Sequence, residues 1–433
     1  MSTTFTCPHV HLIVFLFGSF IPSISQIASD LHSTPAVVSS TISVSTFGTA
    51  IGMLFWGAYS SYYGRRLMYL FSTPCIIFGS FGSGFSSTVV ELLVWRFIQA
   101  FGAGCGMSVG TAVVGDIYKI DERGAAMGIF LAVSLIGPAI APLGGGLATH
   151  LASWRVMQYA LGFASILTMI LVATFLPETS QPGCRGVDKA AEGPRRLRFV
   201  WVNPFSSLAL LRSPLVIIHC IISSFVLLTD FVLWVPLPFT IGERYGITNE
   251  ALIGLCFLPS GIGNIIGAPV IGRLSDRSIK HWRIQRSGKW CPEDRIRVTV
   301  FGALVLVPVS VLLAGLASTF VDGALGVLLC LTALLMNGIG VVIVLAPLQA
   351  YMVDILHDRS AEAASASHGA RTLLCSLLSL GVMPSIEYLG VLRTDLLSAL
   401  IAWIGGGLLL YVIQNGDYLR NLVDIGFTTM ETN

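Results

Sequence analysis

The sequence predicts an all-α membrane protein with twelve transmembrane helices in two pseudo-symmetric six-helix bundles. Three observations carry that expectation. Of 433 residues, 54% are hydrophobic and only 11% are charged, against about 25% charged in a soluble domain. That is too little charge to clothe a water-facing surface. The net charge of +2 further excludes a disordered chain or a nucleic-acid binder. The apolar runs, such as 67–85 and 298–320, are long and continuous. A helix needs roughly 20 apolar residues to cross hydrocarbon, whereas a barrel strand needs about 10 of alternating polarity. The third observation is the placement of the basic residues.

In order, the spans are expected at 10–28, 37–57, 67–86, 90–114, 125–149, 156–176, 214–241, 250–272, 297–320, 323–348, 368–391 and 395–414. The first is the most polar, with Ser19, Pro22, Ser23, Ser25 and Gln26. No basic residue precedes it, which argues against a cleaved signal peptide. If the N-terminus is cytoplasmic, the loops after even-numbered spans should be basic. Of the 25 Lys and Arg residues, 21 fall in those loops and the C-terminal tail, Arg371 counted among them. Arg155, Arg244 and Arg393 fall on the opposite side, and Arg96 falls inside the fourth span. Both termini are therefore expected in the cytoplasm.

The polar stretch 177–213 reads as a cytoplasmic linker between bundles at 1–176 and 214–433. Its Arg195, Arg196 and Arg198 read as positive-inside anchors before lipid ligands. The nine cysteines show no CxxC pair and no Cys/His metal spacing. Most fall within spans and read as small buried hydrophobes. No P-loop is present, and Gly261, Gly263 and Gly267 lie in an apolar span without a dinucleotide motif's strand–helix setting. Neither cofactor nor metal is expected.

An internal repeat supports two halves. Gly57…Gly64-Arg65-Arg66 after the second span corresponds to Gly272-Arg273…Asp276-Arg277 after the eighth. Asp116-Ile117 at the end of the fourth corresponds to Asp354-Ile355 at the end of the tenth. A longer basic loop at 277–297 reconciles the two offsets. Such repeats are typical of secondary transporters, whose sites lie between halves near the midplane.

These residues resemble a known family. Gly57…Gly64-Arg65-Arg66 is similar to the loop signature G-x-L-a-D-x-x-G-R-R/K of the major facilitator superfamily. Arg96-Phe-Ile-Gln99-Ala-Phe-Gly102 is similar to its R-x-x-Q-G-x-G signature. Gly137-Pro138-Ala-Ile-Ala141-Pro142-Leu-Gly144-Gly145 resembles the antiporter signature G-P-x-x-G-P-x-x-G. Trp154-Arg155 and Leu176-Pro177-Glu178-Thr179 extend the likeness, which is nearest to the fungal twelve-span drug:proton antiporters. Ser61 stands where the loop signature has an acidic residue, which in the family helps to lock the outward-facing state. Its counterpart Asp276 is acidic. Ala141 replaces a glycine.

The resemblance implies the major facilitator fold and assigns the gating motif to Gly57, Gly64, Arg65, Arg66, Gly272, Asp276 and Arg277. It assigns the antiporter motif to Gly137, Pro138, Pro142 and Gly145, and a proton relay to Arg96 and Gln99. From the residues themselves, Asp230 is the leading proton-titrating or cation-contacting candidate, since a charge in hydrocarbon costs several kcal/mol unless paired or hydrated. Its alternative is a structural carboxylate bonded to a neighbouring helix. Asn264 and Asn337 read as interhelical glue before ligand contacts, and His219 as a satisfied polar group. Pro138 and Pro142 break helical hydrogen bonds and allow bending.

The expectation is a monomeric, non-enzymatic transporter in the plasma or else vacuolar membrane. It would export small organic compounds against protons by alternating access. Uptake by symport or uniport, or a non-transporting sensor with the same fold, stands as the alternative.

Overall fold

A computed structural model describes residues 18–117, 137, 140–180, 201–247, 249–287, 291–356 and 360–423. Pro138, the start of the first span, positions 125–136, the Arg195–Arg198 cluster and His357–Arg359 lie outside them.

Among the described residues twelve main helices follow one another: α1 Ile24–Asp30, α2 Pro35–Tyr63, α3 Arg65–Phe85, α4 Val89–Ile117, α5 at 140–151 and α6 Trp154–Phe175. The chain continues with α7 Pro214–Trp234, α8 Glu250–Gln285, α9 Pro292–Phe320 and α10 Gly323–Ile355. It ends with α11 Ser360–Leu380, prolonged by Val382–Leu389, and α12 Val391–Leu422. No strand occurs among the described residues, and ten of the helices are long and apolar enough to cross a membrane. The other two, α1 and α5, are described only in part.

Local chemistry sets the helix ends. Pro35 and Pro214 start α2 and α7 with φ already fixed and no N–H to lose. The Thr34, Ser153 and Asn249 side chains accept from first-turn amides of α2, α6 and α8. Between α2 and α3 the chain turns at Gly64, with φ +102 and ψ 166, a region essentially reserved for glycine. A π turn over Pro238–Glu243 prolongs α7, and another over Gly302–Leu306 interrupts α9.

Two corrections follow. The stretch read as a loop insertion at 277–297 is largely helical, because α8 continues to Gln285 and α9 resumes at Pro292. Arg371, assigned to a loop, lies well inside α11, since the run before it is rich in helix-forming alanine.

The strongest packing repeats with a shift of six helices. In the first six, α2 packs on α4, α3 on α4, and α3 on α6; in the last six, α8 packs on α10, α9 on α10, and α9 on α12. Backbones approach closely at small residues, as membrane helices without a hydrophobic drive require. A Cβ on Gly102 would meet the Ser72 carbonyl of α3 at 2.6 Å, and one on Gly104 the Thr49 carbonyl of α2 at 2.6 Å.

The halves meet along α2 and α11 and again along α5 and α8. Ser43 and Ser379 share a hydrogen bond of 2.8 Å, and Ser365 donates to the Met53 carbonyl at 3.4 Å. A core of Phe20, Ile24, Ile27, Leu233, Leu237 and Met383 joins α1, α7 and the end of α11. Large apolar residues such as Phe71, Phe78, Phe163 and Leu167 face outward, as a lipid-facing surface demands.

Candidate functional site

Four groups of residues hold most of the sequence-predicted candidates. The first surrounds Arg96, 1% exposed on α4. Its guanidinium donates to Gln99 Oε1 at 2.7 Å and lies 4.5 Å over the Phe20 ring. Gln99 then donates to Ser80 of α3 at 2.8 Å and to Gln158 of α6 at 3.1 Å. The structure thus joins Arg96 to Gln99, and adds Ser80, Gln158 and Phe20. Sequence reasoning had no signal for these three beyond their polarity or aromaticity in apolar spans.

The second group surrounds Asp230 on α7, 5% exposed. Asn337 of α10 donates its amide to Asp230 Oδ1 at 2.8 Å. The Asn337 carbonyl accepts from Ser310 of α9 at 2.9 Å and Thr229 of α7 at 3.2 Å. Side chains of three helices therefore converge on Asn337, whose neutral amide reaches the carboxylate, and no salt bridge reaches Asp230 among the described residues. Asn264 of α8 does not join them: it is buried, and its carbonyl oxygen has no hydrogen-bond partner among the described residues.

The third group lies at helix ends. Arg65 donates through its backbone N–H to Glu178 at 2.8 Å and through Nε to Asp116 at 3.0 Å, and its NH1 donates to Ser60 at 2.9 Å. Arg66 donates to the Ala173 carbonyl of α6 at 2.6 Å. The loop signature thus ties the start of α3 to the ends of α4 and α6. Ser61 is exposed and, among the described residues, bonds only back to its own helix at Gly57.

In the second half, Asp354 receives Arg295 at 2.7 Å, and Asp276 lies 3.6 Å from the same arginine. Arg295, which sequence reasoning left among topology anchors, is thus the counterpart of Arg65. Arg277 is exposed, and Gly272 sits in open space within α8. Gly57 is not in a loop either; it lies within α2, where a Cβ would meet the Ser365 hydroxyl of α11. Of the signature glycines, only Gly64 makes a turn.

The fourth group is the α5–α8 seam. Gly254 of α8 lies against the Pro142 carbonyl, so a Cβ there would approach it to 2.6 Å. Gly146 lies against the Glu250 backbone, Gly145 against Ser19, and Gly18 against Ala141 and Pro142. Gly137 is buried in helical conformation. The small residues of this motif bring α5 into close contact with both the segment leading into α1 and the opposite half.

Two further groups escaped sequence reasoning. Asp395 of α12, 3% exposed, lines a cavity of about 30 Å³ with Thr240, Ser318 and Cys330. At the other end of α12, Arg420 pairs with Glu293, which also accepts from Tyr351 at 3.1 Å. Both acids sit near predicted span ends, where a carboxylate reads as solvated.

Comparison with known proteins agrees with this architecture. The family model described as Major Facilitator Superfamily matches residues 10–381. The chain is similar to MFS antiporter QDR3 of Candida albicans, 31% identical over 39% of this chain and 26% of that protein. It is similar to Efflux pump radE of Floropilus chiversii, 25% identical over 88% of this chain and 74% of the pump. It is also similar to Citrate exporter 1 of Aspergillus niger, 26% identical over 59% of this chain and 53% of the exporter.

Proposed function

The chain belongs to the Major Facilitator Superfamily, and from that premise we propose that it exports small organic compounds in exchange for protons by alternating access. It is an integral, multi-pass membrane transporter. The observation that carries the coupling reading is Asp230, a buried carboxylate held by the neutral Asn337 amide. A group so placed is costly to keep charged without a partner. Binding and releasing a proton as its surroundings open and close couples it to conformation.

Supporting the export reading are the α5–α8 seam, built from residues that resemble an antiporter signature, and relatives named as an antiporter, an efflux pump and an exporter. In this reading 1–176 and 214–433 are the two rocking bundles, joined by the linker 177–213, and both termini face the cytoplasm. Arg65–Asp116 and Arg295–Asp354 act as latches that re-form in each cycle. The Arg96–Gln99 pair relays protons in the first half. The protein works as a monomer in the plasma membrane.

The test is flux in proteoliposomes under an imposed pH gradient, with substrates drawn from a growth-inhibition panel in cells lacking or overexpressing the protein. Substrate accumulation should require the gradient and collapse with a protonophore. Accumulation that ignores the gradient removes the coupling reading, and an absence of counterflow removes the transport reading.

A further inference from the structure

We propose that His219, His368 and Arg371, which no signature covers, form a binding site for the carboxylate of an anionic organic substrate. The proposal rests on the transport reading above and names a substrate class for it.

The site is built at the contact of α7 and α11. Cys220 Sγ points to the Ser367 carbonyl at 3.8 Å, and Ser224 donates to the Arg371 carbonyl at 3.1 Å. The two bonds join residues four apart on each helix, so they fix the register of the pair. Between them, Arg371 meets His368 Nδ1 at 2.8 Å. His219 lies within electrostatic reach of both.

Two nitrogens in this cluster are buried and bond to nothing among the described residues: Arg371 Nε and His219 Nδ1. His219 is 4% exposed, while Arg371 keeps partial exposure. Among the described residues no carboxylate pairs with Arg371. A half-buried guanidinium without a carboxylate is costly, and an orphaned buried nitrogen costs the loss of its water. An anion accepting from both nitrogens relieves each penalty at once. A planar carboxylate matches the guanidinium fork better than a spherical ion does.

The location suits a transported ligand. One turn before His368, Ser365 donates to the Met53 carbonyl of α2, and Gly369, between His368 and Arg371, lies against Leu54 of the same helix, across the seam between halves. One turn after the cluster, Cys375 lies within electrostatic reach of both Arg371 and Asp230. The anion site and the proposed proton site therefore share a neighbour.

The test uses the full-length protein in nanodiscs, with citrate and benzoate as probes and tetraphenylphosphonium as a cationic control. Binding is read by equilibrium dialysis and by the anion-induced rise in Tm. Expected are carboxylate binding by the native protein, loss of roughly tenfold or more in affinity in Arg371→Gln, and partial rescue in Arg371→Lys. His219→Ala should weaken the anions with the cation unaffected, which guards against a misfolded Arg371 variant. Equal anion affinity in native protein and Arg371→Gln, no anion binding by native protein, or equal competition by chloride each overturns the site. Efflux of tetraphenylphosphonium that persists alongside absent anion binding leaves the transport reading standing and rejects only this proposal.

Discussion

Asn337 of α10 donates its side-chain amide to Asp230 of α7 at 2.8 Å, while its carbonyl gathers Ser310 and Thr229 from α9 and α7. Asparagine suits this place because it presents a donor to the carboxylate and an acceptor to two hydroxyls. Asp230→Asn keeps the size and removes the exchangeable charge. The expected result is normal membrane abundance with gradient-driven efflux lost by at least about tenfold, a barrier change near 1.4 kcal/mol. Counterflow, which needs no proton, should survive. Undiminished pH-driven efflux in the variant would falsify the role.

The Arg65–Asp116 and Arg295–Asp354 pairs, at 3.0 and 2.7 Å, stand at corresponding ends of α4 and α10. A double-mutant cycle on each pair should give a coupling of about 0.5–3 kcal/mol in thermal stability. Arg65→Lys should restore little, since one ammonium cannot reproduce the fork between Asp116 and Ser60. Additive single mutants would mean that neither pair latches anything.

Gly64 and Gly272 both belong to the gating motif and should respond differently. Gly64→Ala forces a side chain into φ +102 and toward the Glu178 carboxyl carbon, 2.8 Å from the added Cβ. It should destabilise by about 1–3 kcal/mol, read as a lower Tm. Gly272→Ala meets nothing within 4 Å, and alanine favours helix by up to about 1 kcal/mol. Its Tm should hold or rise. Similar losses at both positions would contradict the assignment of the turn to Gly64 alone.

Cys291, just before α9, donates to Glu293 at 3.1 Å. Burial first, then the hydrogen bond and charge of Glu293, push its thiol up to about 11. The reactive form is the thiolate, so raising the pKa lowers reactivity at neutral pH. From the ordinary 9.0, the thiolate fraction at pH 7.5 falls about 100-fold. Alkylation at this cysteine, followed by peptide mass spectrometry, should climb about tenfold per pH unit through pH 10. A plateau near pH 9 would sink the prediction.

The spans were legible in the sequence because a helix in lipid must satisfy its backbone internally and be apolar over its full length. Their ends were less so. Charged residues such as Arg273 and Asp276 argued for a loop where α8 runs on to Gln285, because a helix needs no apolar face once it leaves the bilayer. Arg371 was misplaced for the same reason: a cation near a predicted boundary looks like an anchor until its surroundings are known. Asp230 and Asn337 were each visible as polar intruders in apolar runs. Their pairing across 107 residues was not.

The sequence by itself determined that the chain lives in a membrane, how its helices follow one another, and which small residues and arginines carry the family's signatures. These are local properties, set by hydropathy and by spacing along one helix. Only the tertiary structure decided which polar group satisfies which: Asn337 for Asp230, Arg295 for Asp354, Glu178 for Arg65, and, among the described residues, no carboxylate for Arg371. In an apolar interior the energy of a polar atom depends on the single partner within about 3 Å. That partner comes from another helix, whose rotation and height no one-dimensional pattern records.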